Sequence, residues 1–285
     1  MFGKSLNLRK LINELLKEPS LNIKCLFDLN ERVVLLTGAG GLLGEQYADG
    51  LSQAGAHVIL ADINYSKVKL IEETLKSKYI TKPFAVKLDI TDKKSIKKMI
   101  DLVLRKYSKI DVLINNAVNQ GNTKLRTTDF VDLPQSSWEN AIKVNLTGMF
   151  LCCQEVGKVM LKQKKGVIIN ISSTYGLVAP DQRIYGKSGQ NSAIFYAATK
   201  SAVLNFTRYL ASYWNSKGIR VNTLTPGGVE KGQDPEFIRK YSEKTMLGRM
   251  ARKDEYVGAI LFLASDASSY MTGSNLIIDG GWTAW

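Results

Sequence analysis

Apolar residues follow two rhythms along the chain, and the rhythms alternate. Short apolar-rich runs at 33–36, 57–61, 84–88, 110–114, 167–171, 221–224 and 276–278 have the length of buried strands. Between them, apolar positions recur every three or four residues over 42–54, 66–78, 91–107, 138–162, 192–216 and 255–264, as in helices with one buried stripe. Breakers agree with those limits: Gly55 follows the first helix, Thr91-Asp92 offers the third a cap, and Gly218 follows the long one. Buried strands alternating with helices predict parallel β-α-β units with right-handed crossovers. The expected architecture is α/β: a single doubly wound domain with a mainly parallel seven-stranded sheet and helices on both faces. Its ligand is expected beyond the carboxyl ends of the strands.

The first residues follow the helical rhythm alone. In MFGKSLNLRKLINELLKEP, Leu8, Leu11, Ile12, Leu15 and Leu16 share one stripe and Pro19 stops it. Residues 1–26 are therefore expected as a helical arm, and residues 27–285 as one catalytic domain, since no repeat or linker divides them. An arm packed on its own protein fits the few large apolar residues better than an interfacial or partner-binding helix does. No apolar h-region or cleavage site marks a signal peptide, and no run reaches membrane-spanning length.

Composition changes this picture little. The chain has 285 residues, 45% of them hydrophobic, and a net charge of +13. The excess lysines are spread along the chain, which favours a solvated basic surface over a nucleic-acid partner, although it would also attract small anions. Cys25, Cys152 and Cys153 cannot build a disulfide framework and suit a reducing cytoplasm. His57 is the only histidine, so no zinc or other metal site is expected, and its place in a strand-like run suggests packing.

Candidate chemistry begins at Thr37–Gly44, TGAGGLLG, between the first strand and the first helix. It fits T-G-x-x-G-x-x-G, through Gly38, Gly41 and Gly44, rather than G-x-G-x-x-G. Free N–H groups and the helix dipole make such a turn a phosphate site. Asp62 closes the second strand, where a carboxylate accepts hydrogen bonds from a ribose diol and repels a 2′-phosphate. A capping or solvated aspartate is the alternative, and Lys67 nearby weakens the preference for NAD over NADP. Further on, Tyr196-Ala-Ala-Thr-Lys200 places a phenol and an ammonium on one helical face. A neighbouring cation favours phenolate. Bringing a pKa of about 10 to neutrality takes roughly 4 kcal/mol, which a desolvated cleft with a cofactor cation would supply and one exposed lysine would not.

Taken together these residues resemble the short-chain dehydrogenase/reductase family, over essentially 27–285. The matching residues are TGAGGLLG, Asp62, Asp89 in LDI, Asn115-Asn116-Ala117, Asn145 in KVNLTG, NISS at 170–173, YAATK at 196–200, Pro226-Gly227 after IRVNTLT, and the ending SDASSYMTGSNLIIDGGW. The resemblance implies a Rossmann fold, NAD(H) more than NADP(H), and interconversion of a secondary alcohol and a ketone. Tyr196 would be the general acid/base. Lys200 would hold the nicotinamide ribose and lower the Tyr196 pKa, and Ser173 would hydrogen-bond the reacting oxygen. Asn145 would kink its helix and hold a relay water. Gly38, Gly41, Leu42, Leu43 and Gly44 would cradle phosphate. Asp62, Ile63, Asn116 and Ala117 would meet the adenosine ribose, Asp89 and Ile90 the adenine, and Pro226, Gly227 and Val229 the nicotinamide.

Several positions depart from the family pattern. The glycine loop is of the type found in the extended branch, with its epimerases and dehydratases, on a chain otherwise of the classical branch. Val118 replaces a glycine after Asn-Asn-Ala, and the threonine common after Pro-Gly is missing from PGGVEKG. An insertion near 181–190 carries Arg183, Tyr185 and Lys187, which would meet a polar or phosphorylated substrate or else form a plain surface loop. The segment 228–247, with Lys231, Arg239, Lys240 and Lys244, is expected in the substrate wall. A weaker resemblance to bacterial surface-glycan and flagellin-modification oxidoreductases suggests a sugar-like substrate in glycan biosynthesis. A sugar-acid or polyol dehydrogenase, and a sugar-nucleotide epimerase or dehydratase with retained NAD, stand as alternatives. The family's habit of pairing its two long helices implies a homotetramer or homodimer, here through faces with Phe150, Leu151, Leu204 and Phe206.

Overall fold

Alternation within the strands decides how the layers assemble. In the computed structural model, which describes residues 22–122 and 124–285, β1 (Val33–Thr37) is buried along its whole length. Val34 and Leu36 point into one apolar cluster and Val33 and Leu35 into another, as a period of two requires. The same division continues in β2 (His57–Asp62), where Val58 and Leu60 face one layer and Ile59 and Ala61 the other. Both faces are covered, so the strands carry apolar residues at successive positions.

With β3 (Phe84–Lys87), β4 (Val112–Asn115), β5 (Gly166–Ile171), β6 (Ile219–Pro226) and β7 (Asn275–Ile278), these strands form one sheet in the order β3-β2-β1-β4-β5-β6-β7. Every pairing is parallel, so the expected seven-stranded, doubly wound α/β fold is present. The order reverses between β1 and β4, which opens a crevice at their carboxyl ends. One layer holds α1 (Leu42–Gln53), α2 (Tyr65–Lys78) and a later helix, α8 (Val257–Ala264), around Tyr47, Leu51, Leu75 and Ile260. The opposite layer is built from α3 (Lys93–Tyr107), α5 (Met149–Gln163) and α6 (Ile194–Tyr213), around Met99, Val156 and Val203. No helix among the described residues is long and apolar enough to cross a membrane.

Departures from the expected elements have local causes. Ile110 does not join β4, because the Gln163 carboxamide takes both its backbone groups, at 3.0 and 2.9 Å. The helix expected over 138–162 is divided into α4 (Gln135–Ile142), a π-helical turn (Lys143–Gly148) and α5. Asn145 lies inside that turn. A further helix, α7 (Pro235–Ser242), opens at Asp234, whose carboxylate accepts from Glu236 N and Phe237 N. His57 is a packed strand residue, with Nδ1 accepting from Lys82 N at 3.2 Å and Nε2 3.3 Å from Glu31. Of the arm, the stripe Leu8–Leu16 lies outside the described residues.

Candidate active site

A cleft of about 700 Å³ runs across the carboxyl edge of the sheet, through the crevice between β1 and β4. At one end the turn after β1 makes its floor. Gly38 has φ +65°, which a side chain disfavours, and a Cβ there would come within 2.7 Å of the Ala117 backbone. A Cβ on Gly44 would overlap the Gly38 carbonyl and reach within 2.9 Å of Ala39. Both glycines thus let three backbone segments meet. Gly41 caps α1 without a side-chain hydrogen bond, so the first N–H groups of the helix keep their capacity for an anion.

Two strand ends are tied behind that turn. The Thr37 hydroxyl accepts from Asn116 N and Ala117 N at 3.1 and 3.2 Å, and donates to Ile114 O. The Asn116 carboxamide donates to Thr37 O and Gly38 O, at 3.2 and 3.0 Å. Asp62 lines the cleft beside them. One of its oxygens accepts from Gly40 N and the other from Asn64 N, both at 2.9 Å. A carboxylate oxygen accepts more than one hydrogen bond, so the anchored group can still meet a diol. Leu42, Leu43, Ile63, Asp89 and Ile90 complete this half of the wall.

The other half gathers Ser173, Tyr196 and Lys200, with Pro226, Gly227 and Val229 opposite. Two serines end β5 and the structure separates them. Ser172 Oγ donates to Lys200 O at 2.7 Å and is buried. Ser173 faces the cleft beside the Tyr196 phenol and accepts from Tyr175 N at 3.3 Å. Lys200 is buried and donates from Nζ to Ile171 O at 2.6 Å. Burial lowers its pKa from the usual 10.5 to about 8. The Tyr196 phenol is shifted upward by its own desolvation, against the opposing pull of the Ser173 hydroxyl. The Lys200 ammonium lies 5.9 Å from the Tyr196 ring centroid and its hydrogen bond goes to a carbonyl.

Two expected site residues stand behind the wall. Gly44 packs against the turn, and Asn145 is buried beneath it. The Asn145 Oδ1 accepts from Asn119 N at 2.6 Å, while Nδ2 donates to Asn119 O and Thr199 Oγ1 at 2.9 and 3.1 Å. Its side chain holds the 119 loop to α6, and the π turn is what aims it there.

The substrate end differs from expectation. Within the insertion, Tyr185 is buried and lines the cleft, but Arg183 and Lys187 do not reach it. The intervening turn (Gln182–Tyr185) directs Ile184 and Tyr185 inward and leaves Arg183 outside, paired with Asp181 at 2.8 Å. Asp181, held well below the usual carboxylate range by Arg183 and Lys244, joins the insertion to the chain after α7. Arg239 and Lys240 are paired with Glu243 and Glu236. From the 228–247 segment it is Lys231, Gln233, Phe237 and Tyr241 that line the cleft. Tyr241 stacks on Trp282 at 4.2 Å and accepts from Gly228 N at 2.6 Å; burial pushes its phenol up to about 12. Arg126, Gln120 and Tyr175 also reach the wall. They lie in loops whose apolar rhythm carries no directional signal, and only the Asp234-Pro235 start of α7 was open to sequence reading.

Comparison with known proteins agrees with this geometry. A family model described as enoyl-(acyl carrier protein) reductase matches residues 38–283. The 3-oxoacyl-(acyl-carrier-protein) reductase of Thermotoga maritima is 37% identical over 258 residues, covering 89% of this chain and 98% of its own. An NAD-dependent glycerol dehydrogenase of Listeria innocua is 32% identical over 265 residues, covering 90% and 96%. The crystal structure of a gluconate 5-dehydrogenase from Burkholderia cenocepacia, in complex with NADP and tartrate, superposes with a TM-score of 0.83 at 30% identity, over 93% of this chain and all of that one.

Proposed function

The chain belongs to the short-chain dehydrogenase/reductase family of oxidoreductases, and on that footing we propose that it interconverts a secondary alcohol and a ketone on a sugar-like substrate, with NAD(H) preferred to NADP(H). The observation that carries this reading is the convergence of Ser173, Tyr196 and Lys200 at one end of a cleft whose other end presents Asp62 and the bare N-terminus of α1. The turn at Gly38 and Gly44 has a floor that a Cβ would fill, which suits close approach of a pyrophosphate. Asp62 supports NAD by repelling a 2′-phosphate.

A bound nicotinamide supplies the hydride chemistry. The protein's part is positional and protonic. Ser173 Oγ hydrogen-bonds the substrate oxygen, and Tyr196 Oη exchanges the proton on it. Lys200, with one of its three donors on Ile171 O, would hold the nicotinamide ribose with the others. Tyr175, Tyr185, Phe237 and Tyr241 give this end aromatic walls, which pack against the C–H faces of a polyol. The relatives' names, a glycerol dehydrogenase and a gluconate dehydrogenase, support a polyhydroxylated substrate. The surface-glycan resemblance of the sequence supports a place in glycan assembly within the cytoplasm.

The test is titration of NAD and NADP, oxidised and reduced, into nucleotide-stripped protein by calorimetry, followed by rates on a polyol series. NAD(H) is expected to bind more tightly than NADP(H), with the preference lost in Asp62→Ala. Tyr196→Phe is expected to bind NAD normally and to lose about 10²–10⁴ in kcat. Equal affinity for the two dinucleotides would remove the NAD assignment, and full turnover in Tyr196→Phe would remove the acid/base role.

A further inference from the structure

The reaction end of the cleft opens into an annex of about 320 Å³, and the two share Arg126, Tyr185, Lys231, Gln233 and Phe237. Four other basic side chains around this end are neutralised by acids: Arg183 and Lys244 by Asp181, Lys240 by Glu236, Arg239 by Glu243; Lys124 and Lys187 line neither the cleft nor the annex. Arg126 and Lys231 have no ion-pair partner among the described residues, and both line the cleft and the annex. The one carboxylate in the annex wall, Asp234, caps α7 through one oxygen and makes an ion pair with neither cation.

Both cations also stand on fixed backbone. Arg126 O accepts from Asn191 N at 2.6 Å, and the Asn191 carboxamide donates to Thr128 O at 2.7 Å, so the insertion holds the Arg126 turn. Gln233 accepts from Lys231 N and donates to Val229 O, both at 2.7 Å, which closes the turn that carries Lys231. Two like charges on opposing loops, next to the apolar surfaces of Tyr185 and Phe237, repel each other. An anion between them relieves that repulsion. A guanidinium and an ammonium together suit a carboxylate or a phosphate.

The geometry points to an anionic substrate, a sugar-like alcohol or ketone whose carboxylate or phosphate is held by Arg126 and Lys231 in the annex while its reacting carbon lies at Tyr196. This deepens the oxidoreductase reading above and rests on it. Calorimetric binding of gluconate, sorbitol and sorbitol 6-phosphate to the NAD-saturated Tyr196→Phe protein tests it without turnover. Gluconate or sorbitol 6-phosphate, or both, should bind at least about ten-fold tighter than sorbitol, and which one does so separates carboxylate from phosphate. That advantage should weaken with added salt, vanish in R126Q/K231Q, and persist in Arg183→Gln, whose guanidinium is committed to Asp181. Equal binding of all three probes, or an advantage that survives R126Q/K231Q, would overturn the proposal. Failure of the oxidoreductase reading shows separately, as polyol turnover that Tyr196→Phe does not reduce.

Discussion

Lys200 is the residue whose environment most contradicts its chemistry: an ammonium buried against a backbone carbonyl. Its folded pKa of about 8 lies below the usual 10.5, because burial disfavours the charge. Below pH 8 both folded and unfolded chains hold the proton, and the full desolvation cost is present. Between pH 8 and 10.5 the folded chain releases it first, so stability rises through that window relative to a chain lacking the group. Denaturant melts of wild type and Lys200→Met should therefore diverge by about 2 kcal/mol between pH 8 and pH 10, in favour of wild type; parallel curves would show that Lys200 is not desolvated in solution. Sequence reading singled out Tyr196, Lys200 and Ser173, which the structure brings to one cleft, because Y-x-x-x-K lies on α6 and NISS closes β5. It could not foresee the upward displacement of the Tyr196 phenol, which depends on how deeply the ring is buried and where the Lys200 proton points, both set by tertiary packing.

At the scale of elements, the informative feature is the π turn between α4 and α5. One extra residue in that turn directs Asn145 inward, where it bonds both backbone groups of Asn119 and the Thr199 hydroxyl. Asn145→Ala leaves a part-buried N–H without a partner, and urea melts should show a loss of about 2–3 kcal/mol. A neutral result would mean the 119 loop is held by other contacts. The seven strands and most helices were visible in the sequence because burial on both faces, or on one stripe, writes a period into it. The π turn has no period of its own and was marked only by the kink that the resemblance implies at Asn145, and α7 is too short for a period and showed only its Asp234-Pro235 start. The insertion failed differently. Arg183 and Lys187 carried the expected charges, but the turn buries Tyr185 and Ile184 instead, since apolar area outweighs what an exposed cation gains from a partly filled cleft.

For the whole molecule, the unpaired apolar surface of α5 and α6 supports self-association. Phe150 is exposed, as are Tyr209 and Tyr213, which stack at 5.8 Å, whereas Leu151 and Phe206, expected on that face, are half-buried against the core. We propose a dimer or tetramer through this face; light scattering should give a multiple of 31.6 kDa, and Phe150→Glu with Tyr209→Glu should reduce it to one. A monomer in wild type would end the idea. The substrate end has its own collective property. Asp181 bonds Arg183 beside it and Lys244 across from it, and Tyr185 packs on Phe237 at 5.2 Å. The insertion and α7 are thus stapled into one body, distant in sequence and inseparable in space. A graft of 181–191 alone into a relative would arrive without the carboxylate's second partner and without the ring that Tyr185 leans on. Re-engineering specificity on this scaffold therefore means transplanting the stapled pair, not either loop alone.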